Sequence, residues 1–281
     1  MYTKEFKEKI LKEYEINKIS SKELSKKYEI NKTSITNWYK QKYKIKNMNP
    51  NKGNVNYFDI IDSNLKAYFL GFIAADGCIT NRNNLKINIV EEDSIILEKF
   101  KEEIGCESHL YKTSKKRGRN QISFSMNDTT LTNSIRKYGI SERKSLTMTN
   151  IIPNIPKEYR NSFILGYFDG DGFSSISYIK YKSKKTNSEK QYPLLHIGFC
   201  GTKEFLLGII DELNTQKFKI KHESGIDNLR LSSSKDEIIK TYTFLYKNQR
   251  FFLPRKHEKF IKYFKNIHLE INQDGTISSP I

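Results

Sequence analysis

The sequence predicts an α+β protein in which a small all-α module precedes two similar α-β-β-α-β-β-α halves. Three observations support this fold class. Residues 4–42 show only helical spacing of apolar side chains, the next stretch has no apolar periodicity, and the remaining chain repeats itself with an offset of 95 residues. We therefore place the helical module at 1–45, a flexible basic linker at 46–61, the first half at 62–156 and the second half at 157–281.

The net charge indicates the kind of partner. Lys and Arg number 49 against 32 Asp and Glu, so the formal net charge of +17 predicts a polyanionic partner. Attraction to acidic lipid would also follow, but no apolar run approaches the roughly 20 residues of a membrane span, and the charged first residues form no signal segment. We expect a protein that is neither secreted nor bound to a membrane. It would lie in the cytoplasm, if bacterial or phage-encoded, or in an organellar matrix.

The three cysteines, Cys78, Cys106 and Cys200, are odd in number and far apart in the sequence. Such spacing fits neither a disulfide framework nor a zinc site, so we expect buried free thiols.

The N-terminal module is predicted to contain three helices. Residues 4–16 place apolar side chains on one helical stripe, and Ser20 with Glu23 forms a capping box that begins a short second helix. Asn31 would cap a third helix over about residues 32–42.

The order of these helices resembles the helix-turn-helix of transposases and homeodomain-like proteins. The short second helix is followed by a tight turn and by a third helix that begins with small polar residues. The first part of such a helix enters the DNA major groove, so the resemblance implies DNA contacts by Thr33, Ser34, Thr36 and Asn37. A small helical bundle that binds protein, or that caps the next domain, would show the same pattern.

Two segments of the repeat match most closely, namely Ala67–Gly77 and Ser162–Gly172. Each places small residues at every fourth position of one helical face: Ala67, Gly71 and Ala75 in one, and Ser162, Gly166 and Gly170 in the other. Such faces let two helix backbones approach closely, and the natural partner of each is the other copy.

The same elements are predicted after each matched helix. They are a hairpin (78–90), a helix (93–104), a hairpin (108–126) and a helix (128–138) in the first half, and a hairpin (173–200), a helix (202–213), a hairpin (217–233) and a helix (235–246) in the second. The repetition predicts two halves related by a pseudo-twofold axis.

Each matched helix ends in Asp-Gly, where glycine would permit the turn into the hairpin. Packing of the two helices would bring Asp76 and Asp171 to one end of the pair. Two carboxylates beside a basic surface repel each other unless a cation binds them. We therefore predict a site for Mg²⁺, or for another divalent cation such as Mn²⁺ or Ca²⁺, at Asp76 and Asp171 with the preceding residues Ala75 and Gly170.

The two segments resemble the signature motifs of LAGLIDADG homing endonucleases, and that fold would cover about residues 60–266. The resemblance implies that the motif helices form the interface between the halves and that two sheets form a saddle on the DNA major groove. It also implies that the last acidic residues of the motifs, Asp76 and Asp171, bind metal and are catalytic. The first motif departs from the pattern at Ala74, where the second has Asp169, but that position is not the family's metal ligand. Helix capping alone would also explain both terminal aspartates.

Members of this family also place a lysine near each active centre, late in each half. The resemblance implies that Lys144 and Lys256 are catalytic, with Arg143 and Arg255 as the neighbouring alternatives.

Strand alternation separates an apolar from a polar face in each predicted sheet. The apolar faces carry Leu85, Ile87, Ile89, Ile122, Phe124, Met126, Leu229 and Leu231. We predict that the polar faces contact DNA bases through Lys86, Asn88, Gln121, Ser123 and Arg230. Unrelated solvated sheets alternate in the same way, so the argument for DNA depends on two basic hairpin tips. Their expected phosphate contacts are Lys115, Lys116, Arg117, Arg119, Lys180 and Lys182.

The functional prediction is metal-dependent hydrolysis of both strands of a non-palindromic double-stranded DNA site of about 20 base pairs, by a monomer that acts through its two halves. The alternative is a protein that keeps the fold without cutting, either a DNA-binding regulator or an intron RNA maturase. Loss of either aspartate would favour the alternative, and both are present.

Overall fold

The structure is a computed structural model that describes residues 2–16, 19–42, 53–116, 118–182 and 189–279, without the side chains of 15, 16, 40, 41 and 113–116. The chain divides into two compact units, Met1–Lys52 and Gly53–Ile281. None of the described helices combines the length and the apolar composition needed to cross a membrane.

The first unit is a bundle of three helices at the predicted positions. They are α1 (Lys4–Ile16), α2 (Ser21–Tyr28) and α3 (Lys32–Lys42). The predicted capping box is present, because the Ser20 hydroxyl accepts from the Glu23 backbone N–H at 3.3 Å and the Glu23 carboxylate accepts from the Ser20 N–H at 3.0 Å. Glu29, at a φ of 52°, ends α2 and makes the turn toward α3. The bundle has its own apolar core of Ile10, Leu11, Leu24, Ile30, Ile35 and Trp38.

The second unit contains the two predicted halves. Its helices are α4 (Asn64–Asp76), α5 (Ser94–Ile104), α6 (Thr129–Arg136), α7 (Lys144–Thr147), α8 (Arg160–Asp171), α9 (Lys203–Leu213), α10 (Lys235–Tyr246) and α11 (Pro254–Asn266). Its strands are β1 (Gly77–Ile79), β2 (Asn84–Val90), β3 (Tyr111–Lys116), β4 (Arg119–Asn127), β5 (Gly172–Lys182), β6 (Glu189–Gly201), β7 (Phe218–Glu223), β8 (Ile226–Leu231), β9 (Glu270–Ile271) and β10 (Ile277–Ser278).

The strands form two antiparallel four-stranded sheets with the same topology. Their orders are β1-β2-β4-β3 and β5-β6-β8-β7. The first strand pairs also share a register, since Gly77 lies opposite Ile87 and Gly172 lies opposite Phe199. The α+β fold class with two similar halves is therefore confirmed.

Helices α4 and α8 pack directly against each other, as their small-residue faces predict. A Cβ atom at Gly71 would lie 1.9 Å from the Phe163 carbonyl oxygen, and one at Gly166 would lie 1.9 Å from the Tyr68 carbonyl oxygen. Close-packed carbon and oxygen atoms cannot approach to this distance, so both positions require glycine. Residues 67–75 of α4 and 162–169 of α8 are all buried, which places the pair inside the core.

Two expectations about the second unit are wrong. Residues 53–61, expected in a flexible linker, are packed on the first half, where Tyr57, Phe58 and Ile61 are buried and Asn54 N–H donates to Ile104. Their apolar side chains are too widely spaced in sequence to show a periodicity, although they share one core. Residues 46–52 of that linker lie outside the described part of the chain.

The second wrong expectation concerns the thiols. Cys106 is buried and Cys200 is partly buried, but Cys78 is exposed. Cys78 pairs with Lys86 across β1 and β2, which turns its thiol toward the polar face of the sheet. Helices α7 and α11 and the β9–β10 pair were not predicted.

Candidate active site

Asp76 and Asp171 are the last residues of α4 and α8, and helix packing brings them to the same end of the pair. Asp76 Oδ2 lies 3.2 Å from the place that a Cβ atom would take on Gly170, so this carboxylate reaches across the interface. Both carboxylates are half-buried. The structure therefore brings the two predicted aspartates together.

The glycine after each aspartate serves a different purpose from the predicted one. Gly77 and Gly172 are extended, at φ of −73° and −82°, so neither needs the left-handed freedom of glycine. A Cβ atom at Gly77 would lie 2.6 Å from the Ile73 carbonyl oxygen, and one at Gly172 would lie 2.4 Å from that of Phe168. The glycines thus let the first strand of each sheet leave close to the preceding helical turn.

The environment of the aspartates opposes their ionisation. Burial, together with repulsion from Asp171, raises the pKa of Asp76 to about 6. Burial also raises the pKa of Asp171, while the nearby Lys144 and Lys256 act in the opposite direction. A divalent cation bound by both carboxylates would offset the cost of holding them ionised.

Each predicted lysine lies under the end of one motif helix. Lys144, at the start of α7, donates to the carbonyl oxygen of Ala75. Lys256, in the first turn of α11, donates to three carbonyl oxygens near the end of α8: Phe168, Gly172 at 2.6 Å and Gly170 at 3.2 Å. The last carbonyls of a helix lack intrahelical donors and carry the negative end of its dipole, so an ammonium group is favourable there.

The two lysines are not equivalent. Lys256 is only 4% exposed, and burial lowers its pKa to about 8. Lys144 is half-buried, and burial lowers its pKa as well. Lys256 is thus fixed by several carbonyls, whereas Lys144 is held by one and is only half-buried.

Only some of the predicted metal ligands are free to bind a cation. The carbonyl oxygens of Ala75 and Gly170 accept hydrogen bonds from Lys144 and Lys256, which disfavours a cation on the same oxygens. Their role as ligands stays a prediction. Within the described residues, no group of three His, Cys, Asp or Glu side chains is arranged to hold a metal ion. Two carboxylates still suit Mg²⁺, which commonly takes its other ligands from water and substrate phosphate.

An ion pair that the sequence did not predict joins the two halves next to Asp76. Arg255 Nε and Nη2 donate to the two carboxylate oxygens of Asp93 at 2.8 and 2.7 Å, and Asp93 is only 6% exposed. This bidentate pairing engages the arginine that was the alternative to Lys256. The alternative in the first half, Arg143, is exposed and precedes α7 at a φ of 57°.

Asp169 is a second acidic residue whose surroundings the sequence did not predict. Its Oδ2 accepts from the Tyr68 hydroxyl and the Leu253 N–H, both at 2.7 Å, while Oδ1 has no hydrogen-bond partner in the described part of the chain. Burial raises the pKa of Asp169 to about 7. Because it binds the residue that precedes α11, Asp169 helps to position Lys256. The available signal was an acidic residue within an otherwise apolar helix.

A polar groove of about 540 Å³ opens beside Asp76. Its walls come from both halves: Asn88, Ile89, Val90, Asp93, Arg119 and Gln121 of the first, and Gly170 and Arg255 of the second. Asp76 therefore lies next to the polar face of the first sheet.

The predicted base contacts divide into exposed and buried positions. Lys86, Asn88 and Arg230 are exposed on the polar faces, as expected. Gln121 and Ser123 point to the same side, but they are only 6% and 3% exposed, so the expectation of an exposed surface there is wrong. On β4 the Gln121 amide donates back to the carbonyl oxygens of Arg119 and Asn120, and the short Ser123 side chain lies between Asn88 and Tyr111 of the neighbouring strands.

The predicted phosphate contacts are only partly described. Arg119 is exposed at the start of β4, and Lys180 and Lys182 are exposed near the end of β5. Arg117 and the side chains of Lys115 and Lys116 lie outside the described residues. In the first unit, Thr33 and Asn37 are exposed and Ser34 and Thr36 are half-buried on α3, so their contact with DNA stays a prediction.

The solved structures that resemble this chain in fold include two LAGLIDADG proteins bound to DNA. The LAGLIDADG meganuclease I-AabMI bound to uncleaved DNA matches with a TM-score of 0.50 and 13% identity, over 71% of this chain and 90% of that chain. The I-LtrWI LAGLIDADG homing endonuclease bound to target DNA matches with a TM-score of 0.51 and 12% identity, over 76% and 91%. No family model and no curated protein sequence matches this chain. At these identities the likeness shows a common fold.

Proposed function

We propose that this chain, which has the LAGLIDADG-type fold, is a site-specific endonuclease that hydrolyses both strands of a long double-stranded DNA site with a divalent metal ion. One observation carries the proposal. Asp76 and Asp171 meet at one end of the glycine-packed pair α4 and α8, and a lysine ammonium lies beside each helix end.

The surroundings of this pair support DNA as the partner. The net charge of +17 attracts a polyanion, and exposed Lys86 and Arg230 lie on the polar sheet faces. I-AabMI and I-LtrWI, which have a similar fold, are both bound to DNA in their structures. In the first unit, Thr33, Ser34, Thr36 and Asn37 would add contacts to the same duplex.

Asp76 and Asp171 would hold the metal, with water and phosphate oxygens completing its coordination. A divalent ion held there would supply Lewis acidity, which lowers the pKa of bound water and offsets negative charge on the scissile phosphate. Lys144 and Lys256 would stabilise the negative charge that develops at the same place, because their ammonium groups lie close enough to both aspartates to affect their ionisation.

The two halves differ around the site, which favours a non-palindromic target for a monomer. Ala74 of the first motif corresponds to Asp169 of the second, and Lys144 is held by one carbonyl where Lys256 is held by three. Each half would therefore meet its own half-site, over about two turns of DNA in total.

The test is cleavage of a plasmid, with and without Mg²⁺. The plasmid carries the DNA that flanks the gene of this protein, joined as it would be without the gene. The full chain should linearise this plasmid only with the metal. Asp76→Asn and Asp171→Asn should each abolish linearisation and leave binding nearly intact, because a metal ligand is lost while phosphate contacts remain. Asp211→Asn makes the same charge change on an exposed position of α9 and should cut normally.

Two results would contradict the proposal. Normal cutting by either aspartate variant would remove that residue from the metal site. Binding of the plasmid by the wild-type chain without cutting, at every divalent metal tried, would favour the non-cleaving regulator or the maturase.

A further inference from the structure

Three side-chain positions of the second sheet lie side by side on its polar face. Phe173 on β5 is opposite Gly198 on β6, and Gly198 is opposite Arg230 on β8. The Arg230 guanidinium lies over the Phe173 ring, 6.0 Å from its centroid. The Phe173 and Arg230 side chains therefore meet although β6 lies between the two strands that carry them.

Gly198 makes this contact possible. A Cβ atom there would lie 2.3 and 2.6 Å from two ring atoms of Phe173 and 2.1 Å from the Leu229 carbonyl oxygen. The ring thus occupies the space above the glycine backbone, where any other residue would place its side chain. From that position it reaches Arg230.

The arginine is otherwise available to a ligand. It is exposed, and among the described residues no carboxylate pairs with it. Arg255 differs, because Asp93 engages its guanidinium through two hydrogen bonds. Arg230 therefore retains the planar fork of donors that matches the O6 and N7 acceptors of guanine.

The contact with the Phe173 ring restricts the guanidinium before any ligand binds. An aromatic face attracts a cation, and a side chain that is already ordered loses less conformational entropy on binding. Such ordering benefits a bidentate contact, which requires one orientation, more than a phosphate contact, which tolerates several.

The first half has no counterpart of this arrangement. The strand registers place Cys78, Lys86 and Ser125 at the positions of Phe173, Gly198 and Arg230. The cation there is a lysine on the second strand, and no aromatic ring of the described residues lies under its ammonium group. The two halves therefore present different groups to DNA at the same place.

We propose that Arg230 reads a guanine in the major groove of the half-site under the second half, and that Phe173 is the positioning residue that orients it. This inference rests on the proposed function, because it requires that the polar sheet face bind DNA.

Selection from a randomised double-stranded DNA library tests it, using the full chain without divalent metal so that bound DNA stays intact. The wild type should enrich a site with guanine at one position of one half-site. Arg230→Ala should reduce that preference by about 5- to 150-fold and leave the other positions unchanged. Phe173→Leu should reduce it in part, and Phe173→Tyr should retain it because the ring is kept. Lys203→Ala removes an equal charge from exposed α9 and should leave the base profile unchanged.

A second measurement addresses the acceptor atom. Replacing the selected guanine by 7-deazaguanine removes N7 and keeps base pairing, so it should weaken binding of the wild type but not of Arg230→Ala. Thermal melting of Phe173→Leu shows whether the variant is folded, and Phe173→Tyr provides the rescue.

Four results would overturn the inference. An unchanged base profile in Phe173→Leu would remove its positioning role. A uniform loss of affinity in Arg230→Ala, with a shallower salt dependence, would make Arg230 a phosphate contact. If no sequence is enriched, the proposed site-specific function fails as well, whereas enrichment that both variants leave unchanged refutes only this inference.

Discussion

Replacing Gly166 by alanine should disturb the active site from within the helix interface. The added Cβ atom would lie 1.9 Å from the Tyr68 carbonyl oxygen, whereas ordinary contact begins at 3.4 Å. The obstacle is backbone, so α4 and α8 must separate by roughly 1.5 Å or tilt. Because Asp76 and Asp171 lie at the end of these helices, the separation would change their spacing.

The expected effect on stability is the difference of two terms. Overpacking of a core costs about 1–3 kcal/mol, and alanine in a helix regains up to about 1 kcal/mol relative to glycine. A net loss of about 1–2 kcal/mol corresponds to a fall in Tm of about 2–8 °C for a domain of this size. Cleavage should fall more steeply, by about 100-fold, because catalysis is sensitive to displacements of about 1 Å.

Gly208→Ala provides a matched control on another helix. Its Cβ atom would meet the amide group of Asn150, a side-chain end that can move, rather than backbone. Thermal melting and plasmid cleavage should therefore change little in this variant. If Gly166→Ala melts and cuts like Gly208→Ala, the close approach of the two helices does not set the spacing of the aspartates.

Three further predictions concern ionisation, the lysines and the linker. Burial raises the pKa of Asp76 from the ordinary 3.8 of an aspartate to about 6 in the folded chain. The folded state therefore binds more protons than the unfolded state between these pH values, and stability is lost as the pH rises through about 6. In EDTA, the stability of Asp76→Asn relative to the wild type should therefore rise by up to about 3 kcal/mol between pH 4 and 7, as measured by denaturant unfolding. If the difference in stability between the two proteins does not change with pH, the raised pKa is refuted. Lys256→Met should lower the free energy of unfolding by about 1–3 kcal/mol more than Lys144→Met does. The reason is that the first change leaves three carbonyl oxygens without their donor and the second leaves one. Equal decreases in the free energy of unfolding would contradict these hydrogen bonds. Removing residues 1–45 should leave a folded chain with weaker or less selective DNA binding. Removing residues 1–61 should also lower Tm, because the burial of Tyr57 and Phe58 is worth about 1.5–3 kcal/mol each. Equal Tm values for the two truncations would show that residues 53–61 do not stabilise the second unit.

The sequence by itself determined the features that depend on near neighbours in the chain. The repeated small residues of α4 and α8, the terminal aspartates, the capping box at Ser20 and the alternation along β2 all follow periods of about 3.6 or 2 residues. Each of these periods is set by backbone geometry within one element. The order and type of the main elements could therefore be predicted correctly without any tertiary information.

Tertiary structure alone decided which groups meet across elements. Gln121 and Ser123 alternate like exposed residues, yet both are buried in the folded chain. Residues 53–61 have no apolar periodicity, and only the folded core shows that Tyr57 and Phe58 pack into it. The contacts of Asp93 with Arg255 and of Arg230 with Phe173 join residues that are far apart in the chain. Periodicity reports the direction in which a side chain leaves its own backbone, but burial, charge pairing and pKa depend on what other parts of the chain place in that direction.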